Sequence, residues 1–243
     1  MNYRFSESFK NLKPSAIREI LKHTSGTDMI PFAAGNPSVE AFPAQDIRRL
    51  INEITKRPPA DYLQYGISEG YGPLRDCLKA DLTARGLKSD SDDLIIVSGA
   101  QQGIDIAAQI FCDAGDVILC EDPSFIGSLN AFRSHGIKLV GVPMEDDGLN
   151  LDALETEMQK NRNVKLLYMI PNFQNPSGIS TSWEKRRRIY QLAKQYGVVI
   201  LEDNPYGDLR FSGEDIPNIK SLDRDGLVIY CGSFSKLIAP GIR

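Results

Sequence analysis

The sequence predicts an α/β fold in three layers, with a mostly parallel sheet and helices on both of its faces. Two observations support this prediction: short apolar or β-branched runs recur along the chain, and helical patterns lie between most of them. Near-continuous apolar runs are typical of strands that are buried on both faces, and their alternation with helices is typical of parallel sheets. The predicted strands cover residues 94–98, 117–121, 138–143, 165–171, 198–202 and 227–232.

Three helices are predicted between these strands, over residues 101–112, 151–159 and 182–195. In the first, Ile104, Ala107 or Ala108 and Phe111 fall on one stripe, and Asn150 is a candidate cap for the second. The first residues stand apart, with a short helix expected at 15–22 and a Gly/Pro-containing loop after it. We therefore predict an N-terminal arm over residues 1–43, packed on a main domain over residues 44–243.

Composition is that of an ordinary globular protein, because the 243 residues are 42% hydrophobic and 25% charged. The net charge of −4 gives no reason to expect binding to nucleic acid or to an anionic membrane. No apolar run approaches the roughly 18 residues of a membrane span, and the first residues lack a signal-peptide core, so a cytoplasmic protein is expected. The chain has only two histidines, which argues against a His-rich metal site and a Ser-His-Asp triad. Its four cysteines include no CxxC pair, so free thiols are expected.

Ligands of open α/β sheets bind at the carboxyl ends of the strands, so the residues that follow each predicted strand are the candidate site. Gly99, Ala100 and Gln101 open a helix whose N–H groups suit a phosphate, although a tight turn alone would also use a glycine there. Further along, Asn175 follows the fourth strand, in a loop that is otherwise typical of a surface turn. After the fifth strand come two carboxylates, which need a cationic partner if they are buried, and a tyrosine; these are Glu202, Asp203 and Tyr206.

The last predicted strand leads into "GSFSKLIAPGIR", which brings Ser233, Ser235, Lys236 and Arg243 together. A lone lysine is usually a solvated surface group, but this one follows a buried strand and has serines at both sides. The stretch also matches S-x-x-K, the nucleophile motif of β-lactamases, yet the S-D-N and K-T-G motifs of those enzymes are absent. P-loop and G-x-G-x-x-G motifs are absent too.

Pyridoxal 5'-phosphate is the cofactor that needs such a set of groups. Its aldehyde bonds to a lysine, its pyridine nitrogen takes a carboxylate, and its phenolic oxygen takes hydrogen-bond donors. Its phosphate takes fixed N–H, hydroxyl and guanidinium groups.

Seven motifs, in one order across nearly the whole chain, resemble those of the fold-type I, class I/II pyridoxal-phosphate aminotransferases. The similarity is greatest to the branch that contains 2-aminoadipate and aromatic aminotransferases and the MocR-type regulators. The motifs are "AAGNP", "LQYGISEGYGPLR", "SGAQQGID", "EDPSF", "IPNFQNPSG", "EDNPYGDL" and "GSFSKLIAPGIR".

This resemblance implies a role for each candidate residue. Lys236 would form the Schiff base and move the proton between the substrate Cα and the cofactor C4′, and Asp203 would hold the pyridine nitrogen. The other implied cofactor contacts are Asn175 and Tyr206 at the phenolic oxygen, Gly99, Ala100, Gln101, Ser233, Ser235 and Arg243 at the phosphate, Phe125 stacked on the ring, and Tyr65 at the phosphate of a partner subunit. Gly35, Ser15 and Arg18 would contact the substrate.

By the same resemblance, the protein would be a homodimeric aminotransferase that moves an amino group between an amino acid and a 2-oxo acid by a ping-pong mechanism. Phe125 stands where tyrosine is common in the family, and Ala100 where a hydroxyl residue is frequent. The family's chains continue past the lysine motif with a strand for the main sheet and a small domain, so a truncated chain that is inactive alone is expected. Alternatives are the effector domain of a MocR-type regulator and another pyridoxal-phosphate enzyme such as a C–S β-lyase.

Overall fold

The computed structural model describes residues 3–4, 6 and 35–242. Helices of the described residues are α1 Ala44–Ile54, α2 Ala60–Leu63, α3 Gly72–Ala84, α4 Ala100–Phe111, α5 Ile126–Ser134, α6 Leu151–Lys160 and α7 Trp183–Tyr196. Strands are β1 Val117–Asp122, β2 Lys138–Glu145, β3 Gly148–Leu149, β4 Val164–Met169, β5 Val199–Asn204 and β6 Val228–Gly232. Short 3₁₀ turns occupy Val39–Ala41, Gly207–Leu209 and Ile219–Leu222.

The six strands form one sheet in the order β3-β2-β1-β4-β5-β6, and this confirms the predicted α/β class. Every pairing from β2 to β6 is parallel, whereas β3 turns back antiparallel on β2, so the sheet is mixed. The hydrophobic pattern did not indicate β3, because a strand of two residues is too short to show a period.

Helices cover both faces of the sheet, as predicted. On one face, α6 and α7 pack on alternate residues of the strands, among them Leu167 and Ile200. On the other face, α4 and α5 pack on the intervening residues, such as Leu166 and Leu201. Because successive side chains of a strand point to opposite faces, the near-continuous apolar runs fill both layers of the core.

The three predicted helices are confirmed as α4, α6 and α7. The side chain of Asn150 caps α6 by accepting from the N–H of Ala153 at 2.8 Å, and Ser182 caps α7 in the same way through Lys185. Helix α7 ends at Gly197, whose φ of 68° lies in the left-handed region that favours glycine at this position. Helices α1, α2, α3 and α5 were not predicted.

The predicted strand over residues 94–98 is wrong. This segment is extended, but no strand of the described residues pairs with it. Its backbone instead contacts the preceding segment, where the N–H of Ile96 donates to the carbonyl of Glu69 and Arg75 donates to the carbonyl of Leu94. An apolar run predicts burial, but a strand also needs a neighbour to pair with, and the run itself does not encode that neighbour.

The predicted helix at 15–22 and most of the predicted N-terminal arm lie outside the described residues. Within the described ranges, no helix combines the length and the apolarity that crossing a membrane requires.

Candidate active site

The candidate site residues lie along one edge of the sheet, where the parallel strands β1, β4, β5 and β6 end. Phe125 follows β1, Asn175 follows β4, Asp203 is the last residue but one of β5, and Ser233 follows β6. Since the carboxyl ends of parallel strands meet at the same edge, the fold gathers residues that are up to 108 positions apart in the chain.

Asp203 is the most deeply buried of the residues predicted to contact the cofactor, with 3% of its surface exposed. One carboxylate oxygen, Oδ2, accepts a hydrogen bond from the hydroxyl of Tyr168 at 2.8 Å. The other, Oδ1, is buried and has no hydrogen-bond partner among the described residues. Burial raises the pKa of Asp203 to about 7, although the hydrogen bond from Tyr168 acts in the opposite direction. Such a carboxylate can take a cationic donor at its open oxygen.

Asn175 and Tyr206 come together in space. The Nδ2 of Asn175 lies 3.2 Å from the hydroxyl of Tyr206, although the two residues follow different strands. Between them they offer two donors, an amide N–H and a phenol O–H, which suit an oxyanion.

The beginning of α4 offers backbone N–H groups. Gly99 precedes the helix with φ 84° and ψ 153°, a conformation that favours glycine, and Ala100 is the first helical residue. The first turn of a helix has no intrahelical acceptors for its N–H groups, so this end attracts an anion. The Sγ of Cys231 donates to the carbonyl of Ala100 at 3.7 Å, which joins the end of β6 to the start of α4.

The side chains of Phe125 and Gln101 meet above Gly127. A Cβ at position 127 would lie 2.6 Å from the Phe125 ring and 2.9 Å from the Oε1 of Gln101, so only glycine allows this approach. The Nε2 of Gln101 is buried without a partner among the described residues. An aromatic ring and an open amide donor therefore lie side by side at the start of α4 and α5.

Lys236 is half-buried, and its Nζ donates to the carbonyl oxygen of Gly35 at 2.8 Å. The structure thus brings together the predicted catalytic lysine and a predicted substrate residue. Nearby, the N–H of Ser235 donates to the hydroxyl of Ser233 at 3.2 Å.

Two polar residues beside the site have structural partners instead. Glu202, which precedes Asp203, is fully buried and accepts from the side chain of Asn218 and from the N–H groups of Ile219 and Lys220. Asn172 bonds to Arg186 and Asn204. Of the two carboxylates that end β5, only Asp203 therefore keeps an open oxygen.

Sequence reasoning missed two buried polar residues that hold the turn that carries Asn175. Glu121, at the end of β1, accepts from the N–H of Ile170 at 3.0 Å and from the Nε2 of Gln174 at 3.1 Å. The Oε1 of Gln174 in turn accepts from the N–H and the hydroxyl of Ser177. Burial raises the pKa of Glu121 to about 8. A carboxylate directly after an apolar run was the available signal for Glu121.

Arg186 was also missed, although it is fully buried inside α7. Its guanidinium donates to five oxygens, which are the carbonyls of Thr181, Ile216, Pro217 and Pro171 and the Oδ1 of Asn172. It therefore ties the loop after β4 to the loop that precedes Ile219–Leu222. In the sequence it stands among other cations of a helix, which gives no sign of burial.

The remaining predicted residues do not join this cluster in the described part of the chain. Tyr65 lies in the segment after α2 and is 98% exposed. Ser15, Arg18 and Arg243 lie outside the described residues.

Comparison with known proteins shows the family. The family model for aminotransferase class I and II matches residues 27–243, so the chain belongs to this family. Aromatic-amino-acid aminotransferase 1 of Thermococcus litoralis is 40% identical over 98% of this chain and 58% of its own. The crystal structure of kynurenine aminotransferase from Pyrococcus horikoshii superimposes with a TM-score of 0.92 at 36% identity, and the match covers 98% of this chain and 60% of that one.

A second group of relatives consists of regulators. The HTH-type transcriptional regulator YisV of Bacillus subtilis is 34% identical over 94% of this chain and 47% of its own. This chain spans about three fifths of the length of the aminotransferases that it matches and about half of the regulator.

The cofactor of this family is pyridoxal 5'-phosphate, and the residues present fit it. The open Oδ1 of Asp203 suits a protonated pyridine nitrogen, and the pair formed by Asn175 and Tyr206 suits a phenolic oxygen. The amine of Lys236 suits an aldehyde.

Proposed function

We propose that this chain is the cofactor-binding part of an aminotransferase that moves an amino group between an amino acid and a 2-oxo acid in a ping-pong reaction. The observation that carries the proposal is the buried, unpartnered Oδ1 of Asp203 at the same sheet edge as Lys236. A carboxylate in such a place gains from a cationic partner, and a protonated pyridine nitrogen supplies one.

Lys236 and Asp203 would divide the chemistry. When bound, the cofactor supplies an electron sink for the carbanion character that develops at the substrate Cα. The Nζ of Lys236, which donates to the carbonyl of Gly35 in this structure, would hold the cofactor at its aldehyde carbon, with the aldehyde oxygen leaving as water. Once free again, the same amine would accept the proton from the substrate Cα. Asp203 keeps the pyridine nitrogen protonated, since its ionised form is stabilised by that charge.

The other residues would bind and orient. Asn175 and Tyr206 donate to the phenolic oxygen, and Phe125 stacks on the ring. The proposed phosphate contacts are the backbone of Gly99, Ala100 and Gln101 and the side chains of Ser233, Ser235 and Arg243. We further propose residues 1–43 as an arm and residues 44–243 as the cofactor-binding domain, with Gly35, Ser15 and Arg18 at the substrate.

A cytoplasmic homodimer with shared sites is part of the proposal, with Tyr65 reaching the cofactor phosphate of a partner subunit. The near-complete exposure of Tyr65 supports this, because no residue of the described part of the chain covers its ring. Large apolar side chains in the same stretch of chain are exposed as well, namely Leu50, Ile51, Ile54, Leu63, Ile67 and Tyr71. Such a patch on one stretch of chain is typical of a subunit interface.

A regulator's effector domain is a second candidate function, favoured by the similarity to YisV. Both functions use the same cofactor site, so cofactor binding does not separate them. Turnover does, since an aminotransferase converts an amino acid and 2-oxoglutarate at a catalytic rate.

Borohydride trapping tests the cofactor site. The protein is mixed with pyridoxal 5'-phosphate, reduced with borohydride, digested and analysed by mass spectrometry. We expect one major pyridoxyl adduct, on Lys236, together with a visible absorption band before reduction. Lys236→Ala should abolish both signals, whereas the control Lys165→Ala, at an exposed position of β4, should leave both unchanged.

The outcomes are distinct. Absence of a band and of an adduct in the wild-type protein would refute the proposed cofactor site. A band without turnover, in the protein extended to the full length of its reading frame, would favour the effector domain.

A further inference from the structure

A chain of buried hydroxyl groups ends on Asp203. The hydroxyl of Ser128, in α5, donates to the hydroxyl of Tyr168, in β4, at 2.9 Å, and Tyr168 donates to the Oδ2 of Asp203 at 2.8 Å. Ser128 and Tyr168 have no exposed surface, and Asp203 is 3% exposed. Three different elements thus supply one continuous line of hydrogen bonds.

The carboxylate of Asp203 determines the direction in which these hydrogen bonds run. When Asp203 is ionised it can only accept, and a phenol has one proton, so Tyr168 donates that proton to Asp203 and its oxygen accepts from the hydroxyl of Ser128. Burial raises the pKa of Tyr168 well above its usual value, so the phenol keeps this proton.

The ring of Tyr168 is held independently of its hydroxyl. It packs edge-on against Phe132, with ring centroids 5.4 Å apart and planes at 73°. Both rings are fully buried between the sheet, α4 and α5. The hydroxyl therefore has a fixed position, and the carboxylate that it contacts is fixed with it.

Resting on the proposed function, in which Asp203 holds the pyridine nitrogen, we propose that Tyr168 is a positioning residue for the cofactor. Its hydroxyl, supported by Ser128, binds Oδ2, fixes the carboxylate rotamer and leaves Oδ1 as the oxygen that meets the pyridine nitrogen. By donating to the carboxylate it also favours the ionised form of Asp203, which is the form that can accept from a protonated nitrogen.

This second effect is measurable without any cofactor. In cofactor-free protein with ¹³C-labelled aspartate, the carboxyl resonance of Asp203 is followed by NMR against pH and assigned through its loss in Asp203→Asn. Tyr168→Phe should raise the pKa of Asp203 by about one to two units, because one hydrogen bond to the charged form is lost. Ser128→Ala should raise it by less, since it acts one bond further away.

Tyr190→Phe is the matched control. The hydroxyl of Tyr190 also donates to an aspartate, Asp225 at 2.8 Å, but its ring packs in the core on the opposite face of the sheet. This variant should leave the titration of Asp203 unchanged.

A double-mutant cycle on cofactor affinity shows whether Tyr168 acts through Asp203. Tyr168→Phe should weaken binding of pyridoxal 5'-phosphate by about tenfold in the wild-type background. In the Asp203→Asn background the same substitution should change the affinity less than twofold, because the carboxylate that it orients is gone.

An Asp203 titration in Tyr168→Phe that matches wild type and Tyr190→Phe overturns the inference, and so does an equal loss of affinity in both backgrounds. If the wild-type protein binds no pyridoxal 5'-phosphate, the proposed function is refuted instead. The titration of Asp203 needs no cofactor, so it tests the role of Tyr168 separately.

Discussion

The Nζ of Lys236 lies 2.8 Å from the carbonyl oxygen of Gly35, and this contact joins two positions 201 residues apart. It links the segment after β6 to the segment that leads into Val39–Ala41. The amine that is proposed to bind the cofactor therefore also fastens the chain that enters the described domain.

Removal of this amine should loosen the segment around Gly35. Lys236→Met deletes one hydrogen bond of a charged donor at a partly exposed site, worth about 1 kcal/mol. Amide exchange at Ala41 and Phe42, whose N–H groups are hydrogen-bonded in the adjacent turn, should therefore become up to about fivefold faster. Hydrogen exchange followed by mass spectrometry measures this, with Lys165→Met as the control. Equal exchange in all three proteins would show that the contact contributes nothing to local stability.

Tyr206 should set the pH at which the bound cofactor changes colour. A hydrogen bond to the phenolic oxygen stabilises its charged form, so Tyr206→Phe should move the titration midpoint of the visible band to higher pH by about one unit. Affinity should fall by about three- to tenfold. The control is Tyr196→Phe, whose hydroxyl bonds to Glu155 on the surface of the α6–α7 face and which should titrate as wild type does. An unshifted midpoint in Tyr206→Phe would contradict the assignment of this residue to the phenolic oxygen.

Glu121 should make the cofactor-free protein less stable as the pH rises. Burial raises its pKa to about 8 from an ordinary value of 4.5, so between these values the native state binds more protons than the unfolded state, and the free energy of unfolding falls with pH. Glu121→Gln removes this dependence and should be more stable than wild type at pH 9 by about 1–2 kcal/mol. Urea unfolding at several pH values measures it, with the exposed Glu214→Gln as the control. If the free energy of unfolding depends on pH in the same way for Glu121→Gln and wild type, the prediction is wrong.

Arg186 should be essential for folding, unlike its neighbour in α7. Arg186→Met leaves buried carbonyl oxygens without donors and should lower the free energy of unfolding by about 3 kcal/mol or more. Arg187→Met, at the adjacent exposed position, should change it by less than about 0.5 kcal/mol. Urea unfolding compares the two. A loss of the same size in both variants would mean that the buried hydrogen bonds of Arg186 add no stability.

Chain order and local pattern were enough to predict the fold class, three helices with the cap of one of them, and the strand ends that carry the candidate site. These features depend on neighbouring residues, and Asn150 shows it well, since it caps a helix that begins one residue later. The strand predicted over residues 94–98 was wrong because strand pairing depends on a partner segment that can be far away in the sequence.

The buried hydrogen-bond network was not predictable in the same way. Tyr168 lies inside an apolar run, so the sequence predicts an ordinary core residue. Its hydrogen-bond partners, Asp203 and Ser128, are 35 and 40 residues away in the chain. Arg186 reads as one more cation of an amphipathic helix, although its partners reach as far as Pro217. In both cases the side chain is explained only by groups that the fold brings to it.

The burial of Asp203 affects which protonation states of the cofactor the site can bind. Burial raises its pKa to about 7, so both the protonated and the ionised carboxyl group are accessible near neutral pH in the cofactor-free protein. On the proposed function, a protonated Asp203 can hand that proton to an arriving pyridine nitrogen, and an ionised Asp203 can receive a nitrogen that is already protonated. Either route ends in the same ion pair, so the burial of this one carboxylate lets the site take its cofactor in both protonation states.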